Sequence, residues 1–344
     1  MKITWQSPSN LALIKYWGKH GRQLPQNASI SLTLQNAYSE TSLSYAEKED
    51  DGKLDLDFYF EGKSNPAFGA RIEKFLNSIV EEEFPFLTAY KLKIESHNSF
   101  PHSAGIASSA SSMSALALCL MSMERMVSIT LPNEELFYKK ASHIARLGSG
   151  SASRSVYPYV SVWGKTSHIP KADDEFAIPY ANEVHSTFQN FHDDILMVSK
   201  QEKSVSSSAG HGLMEGNPFA AIRYQQAHEN MGKLLPAMQA GDLETFGEIT
   251  EAEALMLHAL MMTSKPSYIL MEGNSLEIIK RVQAWRKETK NPLYFSLDAG
   301  PNLHLLYPNS IQQEVSDFIN SDLIQFCQDG QYLKDRIGNG PKQL

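Results

Sequence analysis

Four stretches of the chain hold residues whose types and spacing could do chemistry. The longest is Phe100 to Ser112, FPHSAGIASSASS. Small side chains let a backbone come close to a ligand. Where such a run leads into a helix, the free N–H groups and the helix dipole attract an anion. Serine hydroxyls add hydrogen bonds or a ligand for Mg²⁺. No Gly-Lys-Ser/Thr follows, so the P-loop pattern is absent, and two readings stay open: phosphate binding, or close packing of two elements. The second stretch is Gly148 to Ser155, GSGSASRS, in which Arg154 supplies a fork that fits carboxylate or phosphate. A strand pattern, Tyr157 to Trp163, follows at once, which favours a site over a plain linker. The third is Lys15, Tyr16, Trp17 and Lys19 around Gly18: two lysines among aromatics, beside a glycine that admits a ligand to the backbone. Its alternative is a strand end with solvated lysines. The fourth is Asp298 in the turn DAGPN, where a carboxylate could orient or deprotonate a hydroxyl. An aspartate in such a turn is also a common local hydrogen-bond acceptor, and sequence physics slightly favours that role.

The elements that must position these residues follow from periodicity. Residues 3–17 begin as a strand, and Pro8 and Asn10 suggest a turn in it. Ser29–Leu34, Thr41–Tyr45 and Leu54–Phe60 alternate as antiparallel strands. Ile72, Phe75, Leu76, Ile79 and Val80 predict an amphipathic helix from Arg71 to Phe84. That places Arg71 at a helix N-terminus, either exposed or near an anion. Tyr90–Ile94 is a strand and Met113–Met126 a buried helix. A helix over 133–147 ends at Gly148. Ile195–Ser199 reads as a strand and Lys203–Gly210 as a third small polar loop. Helices over 219–238, 243–262 and 275–288, strands over 293–297 and 303–307, and a last helix over 311–327 complete an α+β second half.

A chain of 344 residues suggests two domains. The net charge of −8 argues against a general nucleic-acid or anionic-membrane binder. Cys119 and Cys327 are far apart and read as core thiols, which suits a reducing cytoplasm. The N-terminus lacks the long apolar segment of a signal peptide, and no stretch is apolar enough to span a membrane. The eleven histidines show no HExxH or CxxC spacing, so no dedicated metal site is expected.

Taken together, SPSNLALIKYWGK at 7–19, FPHSAGIASSASS at 100–112, RLGSGSASRS at 146–155 and FSLDAGPN at 295–302 resemble the diphosphomevalonate decarboxylases of the GHMP kinase superfamily. The resemblance covers essentially the whole chain, and KYWGK with GSGSAxR marks the decarboxylase branch. It implies a two-domain GHMP kinase fold: a ribosomal-protein-S5-like half over 1–185, a ferredoxin-like helical half over 186–344, and the active site in the cleft between them. It also implies ATP and Mg²⁺, a mevalonate diphosphate substrate and a homodimer. Asp298, Arg154 and Lys19 would be catalytic: Asp298 on the C3 hydroxyl, Arg154 on the substrate carboxylate, and Lys19 with Tyr16 on the diphosphate. Ser149, Gly150 and Ser151, with Trp17, Gly18, Ser207, Ser208 and Arg71, would also bind substrate, and Asn10 would orient Arg154 or the substrate. Ser103, Gly105, Ala107, Ser108 and Ser109 would cradle the ATP phosphates, with Ser109 on the metal. The chain departs from the usual family pattern at His20 (Arg), His102-Ser103 (Thr-Ala), Ser153 (Cys) and His211 (Met). Alternatives within the superfamily are a phosphomevalonate decarboxylase and a small-molecule kinase that stops after phosphoryl transfer.

Overall fold

The computed structural model describes residues 1–101, 106–128, 133–201 and 204–344. Its organising strand is Ser29–Glu47, 19 residues long. Lys2–Ala12 pairs with it antiparallel along one edge and Tyr90–Asn98 along the other. Val160–Trp163 pairs with its first residues, and Asp55–Phe60 lies parallel to Tyr90–Asn98. The expected break between Leu34 and Thr41 is therefore absent. One strand replaces the two predicted ones: Tyr38 to Glu40 pair with Lys2–Ala12, and Leu34 to Ala37 are held by Asp335 to Ile337.

The turn expected at Pro8 and Asn10 is instead a β-bulge. The register of Lys2–Ala12 against Ser29–Glu47 shifts between these two residues and the strand continues. A bulge bends a strand and re-aims its side chains. Here it turns Asn10 toward Arg154, where the two side chains hydrogen-bond.

Ser108–Val127 packs across this sheet, with most of its residues buried. It starts five residues before the predicted Met113, and Ala107 enters it in the left-handed region at φ 45°. Its serines divide between two roles. Ser111 bonds Ser39 at 2.7 Å, Ser122 accepts from the Trp5 indole at 2.8 Å, and Ser114 bonds Ser7. These hydroxyls tie helix to sheet, whereas Ser108 and Ser109 border cavities. The close-packing reading thus holds for Ser111, Ser114 and Ser122, while Ser108 and Ser109 are placed where a ligand could reach them.

Glu134–Gly148 follows, capped by Asn133, whose side chain accepts from the Leu136 N–H. The predicted helix over 71–84 is two pieces, Pro66–Asn77 and Val80–Glu83. Its start at Pro66 with an Asn65 cap leaves Arg71 in mid-helix, not at an N-terminus, with its guanidinium 5.8 Å from the Phe68 ring centroid.

A second antiparallel sheet joins Tyr294–Leu297, Leu303–Pro308, Phe191–Leu196 and Tyr332–Leu333. The strand predicted at Ile195–Ser199 begins earlier, at Phe191. Helices Ala220–Ala240, Leu243–Met262 and Gly273–Thr289 agree with expectation. The last predicted helix, 311–327, is broken into Gln312–Phe318, a π turn and a short 3-10 turn. Lys342–Gln343 then returns to pair with Trp5 and Gln6 on the edge of the first sheet. Cys119 and Cys327 are buried free thiols, as expected. No described helix is long and apolar enough to cross a membrane.

Candidate active site

The cleft is built on Lys15. This lysine is 1 % exposed, and its backbone is held from both halves of the chain. Its N–H donates to Glu253 at 2.8 Å, and its carbonyl accepts from Arg223 at 3.2 Å and from Asn27 at 3.1 Å. Glu253 and Arg223 are themselves a buried ion pair on the two facing helices. An ammonium fixed this way has little freedom, and its Nζ sits 2.9 Å from Asp298 Oδ1.

That contact takes the Asp298 side chain away from its own turn. Other groups pin the turn: the Asp298 carbonyl accepts from Gly300 N–H at 2.8 Å and from His258 Nε2 at 3.0 Å. Burial lowers the His258 pKa to about 4, so the ring is neutral and donates. For Asp298, burial pushes the carboxyl upward, but Lys15, His304 and Arg154 outweigh it and hold it below its ordinary value. About a fifth of its side chain (22 %) remains exposed to the cleft.

Arg154 is 2 % exposed, and burial lowers its pKa to about 10. It remains a cation at neutral pH. Its Nε donates to Asn10 Oδ1 at 3.2 Å, and Nη1 donates to the Ser29 hydroxyl. Asn10 is fixed in turn by donating to the Ser151 carbonyl at 3.1 Å and the Ser155 hydroxyl at 2.7 Å. Nη2 of Arg154 takes no protein hydrogen bond among the described residues. The guanidinium is thus oriented with one nitrogen left for a ligand.

The other end of the cleft is less committed. Tyr16 packs edge-on against Trp163, with centroids 4.7 Å apart, and burial raises its hydroxyl pKa. The Tyr16 hydroxyl and the Trp17 indole N–H are buried without a partner among the described residues. Buried polar atoms are usually completed by protein, ordered water or a ligand, and these two residues border the cleft. Lys19 Nζ contacts Gln23 at 2.9 Å, and burial lowers its pKa.

Asn10, Tyr16, Trp17, Lys19, Ala107, Ser109, Ser149, Gly150, Ser151, Arg154, Ser207, Ser208 and Asp298 therefore line one cleft. Gly18 completes its turn at φ 98°. Arg71 does not join them. It borders a second, largely apolar cavity with Phe58, Phe60, Phe68 and Ser108. The two cavities share Ser109 and Gly148. Ser103 and Gly105 lie outside the described residues. Ser207 and Ser208 open a short helix, Ser207–Gly212, where a loop was predicted. Ser153, one of the departures, is fully buried and donates to the Gly150 carbonyl at 2.8 Å, away from the cleft.

Two model domains match the chain: the diphosphomevalonate decarboxylase-like N-terminal domain over residues 7–177, and the mevalonate 5-diphosphate decarboxylase C-terminal domain over 194–340. The diphosphomevalonate decarboxylase of Candida albicans is 30 % identical over 319 residues, covering 90 % of this chain and 85 % of that protein. The chain belongs to the diphosphomevalonate decarboxylase family. Solved members share the fold. Mevalonate diphosphate decarboxylase from Staphylococcus aureus superposes with a TM-score of 0.82 at 27 % identity, over 100 % of this chain and 98 % of that one. The enzyme from Enterococcus faecalis gives 0.81 at 26 %, over 100 % and 99 %. A structure titled MDDEF in complex with MVAPP, AMPPCP and magnesium gives 0.82 at 27 %, over 100 % and 99 %. The GHMP kinase fold expected from the sequence is therefore present.

The sequence reading missed two features of this decarboxylase-family cleft. The sequence groups Lys15 with Lys19 as a candidate ligand contact but does not reveal its pairing with Asp298. A lysine inside the apolar run LALIKYW was the available signal. The Arg223–Glu253 pair that grips it had none, because its members lie 30 residues apart in ordinary helices.

Proposed function

We propose that this protein converts mevalonate 5-diphosphate and ATP into isopentenyl diphosphate, CO₂, ADP and phosphate. The observation that carries this reading is the pairing, in one cleft, of the Lys15–Asp298 ion pair with an Arg154 pre-oriented by Asn10 and Ser29. A kinase needs only the first. The second is suited to holding a carboxylate for elimination.

In this reading the diphosphate lies against Lys19 and the unpartnered Tyr16 and Trp17 groups, with Ser149, Ser151, Ser207 and Ser208 adding hydroxyls. The substrate carboxylate takes the open Nη2 of Arg154. The C3 hydroxyl faces Asp298. Held ionised beside Lys15, Asp298 orients the hydroxyl and supplies a negative field. The hydroxyl oxygen attacks the terminal phosphorus of ATP, its proton passes to Asp298, and ADP leaves. The new C3 phosphate then departs with its bonding pair as the carboxylate loses CO₂, and the electrons of the broken C–C bond form the alkene. Positive charge develops at C3, beside Asp298.

The apolar cavity beside the start of Ser108–Val127 suits the adenine ring, and the uncapped N-terminus of that helix suits the ATP phosphates. The hydroxyls of Ser109 and Ser149, 3.2 Å apart, are hard oxygen donors of the kind Mg²⁺ takes. The ion would neutralise phosphate charge there. A chain division near residue 185, a homodimer and a cytoplasmic location belong to the same proposal.

The test supplies Mg·ATP with mevalonate diphosphate or mevalonate phosphate in parallel and measures ADP and CO₂. Equal ADP and CO₂ from the diphosphate supports the proposal. The same products from the monophosphate alone would change the substrate. ADP without CO₂ would make the protein a kinase and remove the role given to Arg154.

A further inference from the structure

Ser207–Gly212 lies directly on the turn that holds Tyr16 and Lys19, and one residue makes the junction. His211 Nδ1 accepts a hydrogen bond from the Gly18 N–H at 2.9 Å. Its ring packs at a tilt against Tyr16 and Trp17, with centroids 4.4 Å and 4.5 Å apart and interplanar angles of 39° and 34°. Gly210 permits the approach: a Cβ there would lie 2.5 Å from the Trp17 ring. His211 itself borders the cleft.

We infer that His211 is a positioning residue for substrate binding, joining the Tyr16–Lys19 turn and the Ser207–Gly212 helix into one wall of the cleft. The inference rests on the reading of this cleft as the substrate site. The logic is geometric. Tyr16 is held between Trp163 and His211, and this grip sets the direction of its unpartnered hydroxyl. Gly18 has a positive φ, so its N–H points where few other groups could accept it. An acceptor at Nδ1 fixes that N–H and places the neutral ring's proton on Nε2. Without it, the turn would have to be ordered when substrate binds, and that cost appears in KM.

Three variants separate the parts of the argument. H211F keeps a packed ring and removes the acceptor. H211N places an amide oxygen near Nδ1 and removes the ring. H211Q places its amide near the far nitrogen instead. The expected result is that H211F raises KM for mevalonate diphosphate about tenfold, the worth of one hydrogen bond, with kcat and the KM for ATP nearly unchanged. H211N should recover much of that loss and H211Q should not. Wild-type kinetics in H211F would overturn the inference, as would an H211N no better than H211Q. Should H211F not fold, the H211N and H211Q comparison decides alone. A wild type that released no CO₂ would overturn the reaction reading instead. The inference on His211 would then be judged by calorimetric binding of inorganic pyrophosphate, expected to be weaker in H211Q than in H211N, with equal affinities overturning it.

Discussion

The two ends of the cleft are built on opposite terms. At the reacting end, polar groups are already bonded to protein. Lys15 is gripped through its N–H, its carbonyl and its ammonium, and Arg154 is held by Asn10 and Ser29. At the phosphate end, the Tyr16 hydroxyl and Trp17 indole are buried with no partner among the described residues. The difference teaches where the protein invests its rigidity. On the proposed function, the groups that would meet the transition state are fixed in advance, so no reorganisation is needed as charge develops. The groups that would grip the diphosphate are left for substrate to complete.

Breaking the reacting end should cost most. Asp298→Asn should lower turnover about 10³-fold, measured as ADP and CO₂ together, with substrate binding retained. Loss of CO₂ alone would mean that Asp298 serves only the second step. Arg154→Lys should lower kcat about 10²-fold, because an ammonium cannot bond Asn10 and Ser29 while holding a carboxylate. Here CO₂ should fall further than ADP, and an equal fall would place the arginine in phosphoryl transfer. Glu253→Gln leaves Arg223 as a buried, half-paired charge, and urea unfolding should show a loss of about 3–5 kcal/mol.

The phosphate end should respond in binding, not in stability. Burial lowers the Lys19 pKa, and the ammonium binds phosphate only while protonated. Substrate affinity should therefore fall as pH rises through that lowered value, on the acid side of an ordinary lysine. Lys19→Arg should extend the plateau to higher pH, because a guanidinium keeps its proton. An unchanged alkaline limb would assign the titration elsewhere.

The site was legible because its parts are concentrated in short runs. Lys15 to Lys19, Ser149 to Arg154 and Asp298 each lie in one uninterrupted stretch with unusual residue types for its context. What could not be read depends on contacts from far along the chain. The Ser29–Glu47 strand runs past its own polar residues because Asp335 and Ile337, 300 residues on, hold Leu34 to Ala37. The grip on Lys15 comes from Arg223 and Glu253, more than 200 residues away. Arg71 was misplaced for a local reason: the helix begins at Pro66, where Asn65 caps it, ahead of the apolar stripe. The serine-rich stretch reads as one feature because serine is the same letter whether its hydroxyl meets Ser39 in the core or faces a cavity.

The contrast between the two ends is tested most directly by the melting temperature of ligand-free Tyr16→Phe. Removing a buried hydroxyl that has no partner among the described residues relieves its desolvation and loses no hydrogen bond to them. The melting temperature should equal or exceed that of the wild type, while KM for mevalonate diphosphate rises about tenfold. A fall of several degrees, of the kind expected for Glu253→Gln, would contradict the account. It would show that the Tyr16 hydroxyl is already satisfied by the protein and that the phosphate end does not wait for its ligand.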